Sequence, residues 1–241
     1  KDEEELMEEI RREQESGERD KFYLPKSYKA RLDNDHYVDT SNTDGYQKEV
    51  YMAAMLLARR LVPSSDNNNN NKAEHGEQIQ GNRGNRRGFV LDIGTGSGYK
   101  LVKFLSPEFK TVGFETEPAI SFLRQKYPNE TWVDSGTPEE SLPESWNSDG
   151  KKPDICICSD VIEHIRNPDD LLRFLLSLQC RSYIISTPKR DVLRSAFWGP
   201  PGNRHHVREW TLHEFKLYLE SQGFHVIKSF DGIQHASTQF A

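Results

Sequence analysis

From residue 89 to the end, short apolar runs alternate with stretches whose apolar residues recur at helical spacing. FVLDIG (89–94), TVGFET (111–116), TWVDS (131–135), DICICSD (154–160) and SYIIST (182–187) read as five strands. SGYKLVKFLS (97–106), EPAISFLRQKY (117–127), VIEHIRNPDDLLRFLLSL (161–178) and TLHEFKLYLESQG (211–223) read as the helices between and after them. Such alternation predicts a doubly wound parallel sheet, because parallel strands joined by helices are covered on both faces. A final pair, FHVIKSF and IQHASTQF, flanks Asp231-Gly232, a hairpin signal that predicts a last strand antiparallel to the one before it.

Upstream the pattern differs. Residues 44–62, DGYQKEVYMAAMLLARRLV, have the spacing of an amphipathic helix stopped by Pro63, and with the loop-like start around Tyr23, Pro25, Tyr28 and Tyr37 they make a helical cap over 21–62. Residues 1–20 read as an acidic lead-in helix or linker with a solvated face. Residues 63–88, with Asn67 to Asn71 and two Gly-Asn-Arg repeats, read as a low-complexity mobile loop. The segment 89–241 is then the catalytic core.

Composition narrows the class. The 241 residues are 34% hydrophobic with a formal net charge of −6. No apolar run reaches the roughly 18–20 residues of a membrane span, and no signal peptide is recognisable, so a cytoplasmic protein is expected. The acidic balance argues against a broad nucleic-acid platform, which needs clustered Lys and Arg, while leaving room for a local basic site. Cys156, Cys158 and Cys180 have no metal or disulfide spacing and read as reduced core thiols. A chain that starts at Lys1 and stops at Ala241 in a strand-like stretch is expected to be a piece of something longer.

The chemistry begins at VLDIGTGSGYKLVKF, where Gly94, Gly96 and Gly98 fall at a strand-to-helix turn and let backbone approach a ligand. The dinucleotide spacing G-x-G-x-x-G fails, since Tyr99 stands where the third glycine belongs, and no Gly-Lys-Ser/Thr follows to make a phosphate loop. Val90 to Gly98 resembles motif I of the class I S-adenosylmethionine-dependent methyltransferases, and the resemblance continues in order through GFETEP, WVDSG, CSDVIEHI and IISTPKR, over residues 45–241. It implies the Rossmann-like fold of that class, a doubly wound seven-stranded sheet with its last strand antiparallel, and S-adenosyl-L-methionine as cofactor. It also implies that Asp92 and the three glycines hold the methionine end, that Glu115 accepts both ribose hydroxyls and that Asp134 meets the adenine amino group. Thr95, Thr116 and Ser159 complete the implied cofactor set.

The acceptor side is expected at the end of the fourth strand, where ligands gather in open α/β sheets. On a helix, Asp160, Glu163 and His164 stand at i, i+3 and i+4, hence on one face. A second group, Gly199 to Trp210, precedes a helix start in which Thr211 and Glu214 have capping-box spacing. His206 is the candidate general base, since hydroxyl methylation must remove a proton and imidazole titrates near neutral pH. Asp160 is the candidate for positioning the acceptor.

Two finer resemblances follow. Asp160-x-x-Glu163-His164 with His206 resembles the metal site of small-RNA 3′-terminal 2′-O-methyltransferases, departing from it in the shorter carboxylate of Asp160. That implies a divalent ion, Mg or Mn, held by Asp160, Glu163, His164 and His206; the other reading of Glu163 and His164 is packing or helix capping without metal. His-Val-Arg-Glu-Trp after Gly-Pro-Pro, with Gln47 to Tyr51, resembles methyltransferase domains that accompany glycosyltransferases. That implies a sugar hydroxyl of a glycan or nucleotide-sugar as acceptor and a glycosyltransferase domain on the parent chain as partner. Tyr23, Tyr28, Tyr37 and Trp198 then stack on a sugar or cover the sheet, and Arg204 and Arg208 orient an acidic group or lie at the surface. RNA ribose methylation and a non-catalytic cofactor-binding module are the rival functions.

Overall fold

The structure, a computed structural model, describes residues 19–34, 37, 42, 45–62, 88–136, 152–191, 198–231 and 238–240. The lead-in through residue 18 and the low-complexity stretch 63–87 lie outside the described residues. The chain divides into two compact units, one built from 40–157 and 178–184, the other from 1–39, 158–177 and 185–241.

The first unit holds helix α1 (Lys48–Leu61) and the strands β1 (Phe89–Ile93), β2 (Lys110–Glu115) and β3 (Trp132–Asp134). All five residues of β1 are buried, as expected of a parallel strand covered on both faces. β1 pairs with β2 from Phe89↔Lys110 to Ile93↔Phe114, and β2 with β3 from Gly113↔Trp132 to Glu115↔Asp134, both parallel. This register aligns the acidic ends of β2 and β3. Gly113 is required where it stands: a Cβ there would lie 2.4 Å from the Trp132 ring. The predicted helix after β1 begins at Tyr99 but widens into a π-helical turn over Leu101–Leu105, with Ser106 N–H donating to Leu101 O at 3.0 Å. α1 packs against that turn through a face of Val50, Tyr51, Ala54 and Ala58, the i, i+1, i+4, i+8 stripe seen in the sequence. Helix α2 (Ala119–Lys126) covers β2 and β3 with Ala119, Ile120 and Leu123.

Strands β4 (Ile155–Ser159) and β5 (Ser182–Pro188) contribute residues to both units. The sheet order is β3-β2-β1-β4-β5-β7-β6, with a parallel central set of five strands. The short strand β7 (Thr238–Phe240) pairs antiparallel with β5 and with β6 (Phe230–Asp231). β6 is shorter than the sequence pattern suggested, and residues 232–237, where the second strand of the expected hairpin begins, lie outside the described residues. Residues 224–229 form no strand, and Ile227 is 88% exposed.

In the second unit, the single helix expected over 161–178 is broken. A 3-10 turn occupies Ile162–His164, and helix α3 (Pro168–Ser177) starts afresh at proline, which suits a first helical turn and biases the residue before it away from helix. Asp160 therefore does not share a helix face with Glu163 and His164; its backbone is left-handed, φ 54°. Helix α4 (Leu212–Ser221) begins with the capping box that its sequence predicted, Thr211 and Glu214 each satisfying the other's backbone N–H. Trp210 stacks on Tyr218 at 5.7 Å and donates its indole N–H to Phe22 O, so the unit's core closes on residues 19–34. Those residues form an irregular strap rather than a helix: Asp20 Oδ1 accepts from the N–H groups of Phe22 and Leu24 and turns the chain at Tyr23, φ 62°. The predicted cap is thus two elements, α1 in one unit and the strap in the other. No helix among the described residues is long and apolar enough to cross a membrane.

Candidate active site

At the carboxyl end of β1, Gly94, Gly96 and Gly98 have φ of 71°, 57° and 69°, conformations in which a side chain is strained. The loop is tied to β2: Gly94 and Thr95 donate their N–H groups to Phe114 O at 2.9 and 3.0 Å, and Gly96 donates to Glu115 Oε2 at 2.8 Å. Glu115 Oε1 accepts from Thr116 N–H at 2.9 Å and its hydroxyl at 3.4 Å. A carboxylate is an acceptor-only group, the type that a vicinal diol requires. Asp134, beside Glu115 in register, accepts from Gly136 N–H at 2.9 Å.

Asp92 is fully buried. Its Oδ2 accepts from Thr95 Oγ1 at 2.7 Å and from Tyr51 Oη at 2.8 Å, whereas Oδ1 is buried with no hydrogen-bond partner among the described residues. Burial pushes the Asp92 carboxyl up to about 6, against the hydrogen bonds from Thr95 and Tyr51 and the nearby cation of Lys100, with Glu115 adding to the rise. A buried acceptor without a donor is rare and suits a cationic ligand. An ammonium for Asp92 and a vicinal diol for Glu115 are the two polar ends of S-adenosylmethionine, so the residues fit the cofactor. The expected set Asp92, Gly94, Thr95, Gly96, Gly98, Glu115, Thr116 and Asp134 comes together, but Thr95 spends its hydroxyl on Asp92. Ser159 belongs to the other unit, where its hydroxyl pairs with Ser186 Oγ at 2.9 Å. Tyr51 was missed as a site residue: in the sequence it is one more apolar-face position of an amphipathic helix.

The second constellation is drawn from three segments of the other unit. The left-handed turn at Asp160 sends its carboxylate back to β5, where Oδ1 accepts from Ser186 Oγ at 2.8 Å. Glu163 is buried; Oε2 accepts from Thr187 Oγ1 at 3.1 Å and Oε1 has no hydrogen-bond partner among the described residues. Burial, with Asp160 and Glu209 nearby, raises its carboxyl well above the usual range. His164 Nδ1–H donates to His205 O at 2.9 Å, and its Nε2 lies 3.7 Å from Glu163 Oε1. His206 Nδ1–H donates to Glu209 Oε1 at 2.7 Å, and its Nε2 meets the Asn203 side-chain amide at 2.9 Å. Both imidazoles are therefore fixed with Nε2 as the acceptor nitrogen. Ligand atoms of Glu163, His164 and His206 all lie within 4.8 Å of one another. Asp160 does not join that cluster.

Surrounding groups support these rings. Asn34 donates to the carbonyls of His164 and His205 at 3.3 and 3.4 Å, and Tyr37 stacks on His164 at 4.7 Å. Tyr28 Oη accepts from Glu209 N–H at 2.9 Å, and burial pushes its phenol up to about 12. Arg208 is buried, donating to Ile165 O and Arg166 O over the Phe22 ring, which makes it a structural clamp, while Arg204 is exposed. Trp198 is buried and Tyr23 shapes the strap turn. Glu209, Asn203, Ser186 and Thr187 were not singled out in the sequence; a His-x-x-Glu spacing before a helix start was the one available signal.

A Rossmann-like sheet with an acidic glycine loop and a carboxylate at the end of β2 is the framework of an S-adenosylmethionine-dependent methyltransferase. The family model for a methyltransferase domain matches residues 69–229, and the chain belongs to that family. Among solved structures it is similar to the small RNA methyltransferase HEN1, with 17% identity and a TM-score of 0.53 over 86% of this chain and 26% of that one. It is also similar to the plantazolicin methyltransferase BamL bound to SAH (19%, TM-score 0.47, 63% of this chain and 60% of that one) and to methyltransferase CalO6 (17%, 0.45, 64% and 56%). The chain spans about half of CalO6 and about a quarter of HEN1. No curated protein sequence matches it.

Proposed function

We propose that the protein is an O-methyltransferase that acts on a sugar hydroxyl, with His206 as the base. The observation that carries this reading is the buried His206–Glu209 pair, in which a carboxylate 2.7 Å from Nδ1 holds the ring with Nε2 as acceptor. When bound, S-adenosylmethionine supplies a methyl group on a sulfonium centre. Asp92 binds its ammonium, Glu115 its ribose hydroxyls and Asp134 its adenine amino group. With the cofactor held, its methyl would go to the acceptor oxygen and the electron pair of the broken bond would stay on sulfur; His206 Nε2 would take the hydroxyl proton. Glu209 stabilises the imidazolium that forms, and the proton then leaves to solvent. Asn203, whose amide occupies Nε2, must yield that position to the acceptor. Asp160 and Ser186 orient the acceptor through their shared hydrogen bond.

Glu163, His164 and His206 also fit a divalent ion. Glu163 Oε1 and His164 Nε2 are two acceptors facing each other at 3.7 Å, an arrangement that calls for a proton or a cation. One carboxylate and two imidazoles suit Mn over Mg. A bound ion would hold two vicinal hydroxyls and acidify one of them. His206 has one lone pair for either task, so a metal ligand there is not the base. Similarity to HEN1 over 86% of this chain favours a second reading, an RNA ribose as the acceptor, whereas the net charge of −6 favours a neutral glycan. A glycosyltransferase domain as partner and a cytoplasmic location complete the proposal.

The test is transfer of labelled methyl from S-adenosylmethionine to deoxyhexose-containing oligosaccharides and to short RNAs, with and without EDTA. Label on the oligosaccharide supports the glycan reading, and its loss with EDTA assigns the cluster to a metal. Label on RNA alone replaces the acceptor. Cofactor binding without label on any acceptor sinks the catalytic reading in favour of a binding module.

A further inference from the structure

The acid of the glycine loop has an unusual arrangement. Both hydrogen bonds to Asp92 go to one oxygen, Oδ2, from Tyr51 and Thr95, and Oδ1 is left buried without a donor. Thr95 is three residues away on the same loop, so it moves with Asp92; Tyr51 comes from α1, 41 residues upstream. Its ring is 2% exposed and flanked on the helix face by buried Val50, Ala54 and Ala58, so packing sets where its hydroxyl sits. We infer that Tyr51 is a positioning residue for cofactor binding: its hydroxyl locks the Asp92 carboxylate through Oδ2 and reserves Oδ1 for the ammonium of S-adenosylmethionine.

The lock has an electrostatic consequence. An ammonium binds the ionised carboxylate, and burial opposes ionisation here. The Tyr51 and Thr95 hydrogen bonds and the Lys100 cation favour the charged form, and Glu115 opposes it. Removing the Tyr51 hydroxyl takes away one of the three favourable terms, so the carboxylate ionises at higher pH and binding fades at higher pH. The inference concerns cofactor affinity alone and is independent of which acceptor is methylated.

The experiment is calorimetric titration of S-adenosylmethionine into the full chain between pH 5 and 8, for the wild type and Tyr51→Phe. At pH 5 the substitution is expected to raise Kd about tenfold, the equivalent of one pKa unit, with an effect of about twofold at pH 7, and to move the pH at which binding fades from near 6 toward neutrality. Methylthioadenosine, which lacks the ammonium-bearing end, is expected to bind both proteins equally. A wild-type Kd and pH profile in Tyr51→Phe would overturn the inference, as would an equal loss for methylthioadenosine, which would mean a general loosening of α1. The pair Asp92→Asn and Tyr51→Phe/Asp92→Asn decides the case where Tyr51→Phe unfolds more easily. Equal cofactor affinities in these two proteins are expected, and a further tenfold loss in the double variant would show that Tyr51 acts other than through Asp92.

Discussion

The cofactor-binding constellation and the His206 constellation are built by opposite means. The first is mostly backbone: three glycines at positive φ, and N–H groups of Gly94, Thr95 and Gly96 donated to the adjacent strand and its terminal carboxylate. The second is mostly side chain, with Glu163, Thr187, Asn203, His206 and Glu209 delivered from three separated segments and locked by mutual hydrogen bonds. A backbone site of this kind recognises a constant ligand and leaves its signature in consecutive residues. A side-chain site is free to change acceptor by exchanging one residue at a time, which is why the cofactor is legible here and the acceptor is a proposal.

If the two constellations divide binding from chemistry in this way, substitutions separate them. The largest effect is expected from His206→Ala: methyl transfer to the productive acceptor falls about a thousandfold, the middle of the range for a general base, and cofactor Kd measured by titration stays at its wild-type value. A parallel loss of cofactor affinity would break the division. Next, Asp92→Asn trades binding for stability. The Asp92 carboxyl is raised from 3.8 to about 6, so protonation favours the folded state. This contribution is fully present below the unfolded value of 3.8 and is lost as pH rises through about 6. Asparagine removes the buried charge, and chemical denaturation of the ligand-free protein should show a gain of about 3 kcal/mol at pH 7.5 that vanishes near pH 4.

Glu115→Ala is the mirror of the histidine variant. It should weaken cofactor binding about a hundredfold, since the charged hydrogen bonds proposed for the ribose and the anchor of Gly96 N–H would go together. At saturating cofactor, transfer should recover more fully than in His206→Ala. The smallest effect lies outside both constellations: Thr211→Ala removes the capping box of α4 and should cost about 1 kcal/mol, a drop of roughly 2–4 °C in the thermal midpoint. A larger drop would mean that the cap also holds the Glu209-Trp210 segment in place.

What the sequence by itself determined is what depends on neighbours in the chain. Buried parallel strands read as unbroken apolar runs, the glycine loop as three glycines after an acid, and the α4 start as Thr-x-x-Glu, because each records a local backbone requirement. The places where the reading failed have local causes too: Pro168 restarts the helix, and the left-handed Asp160 leaves the face it would have shared with Glu163. Only the tertiary structure decided that Tyr51 reaches across 41 residues to Asp92, and that Glu209 holds the His206 ring. Those contacts join side chains whose sequence neighbours carry no trace of them, since a hydrogen bond across the fold constrains where two atoms meet and leaves the residues between them free.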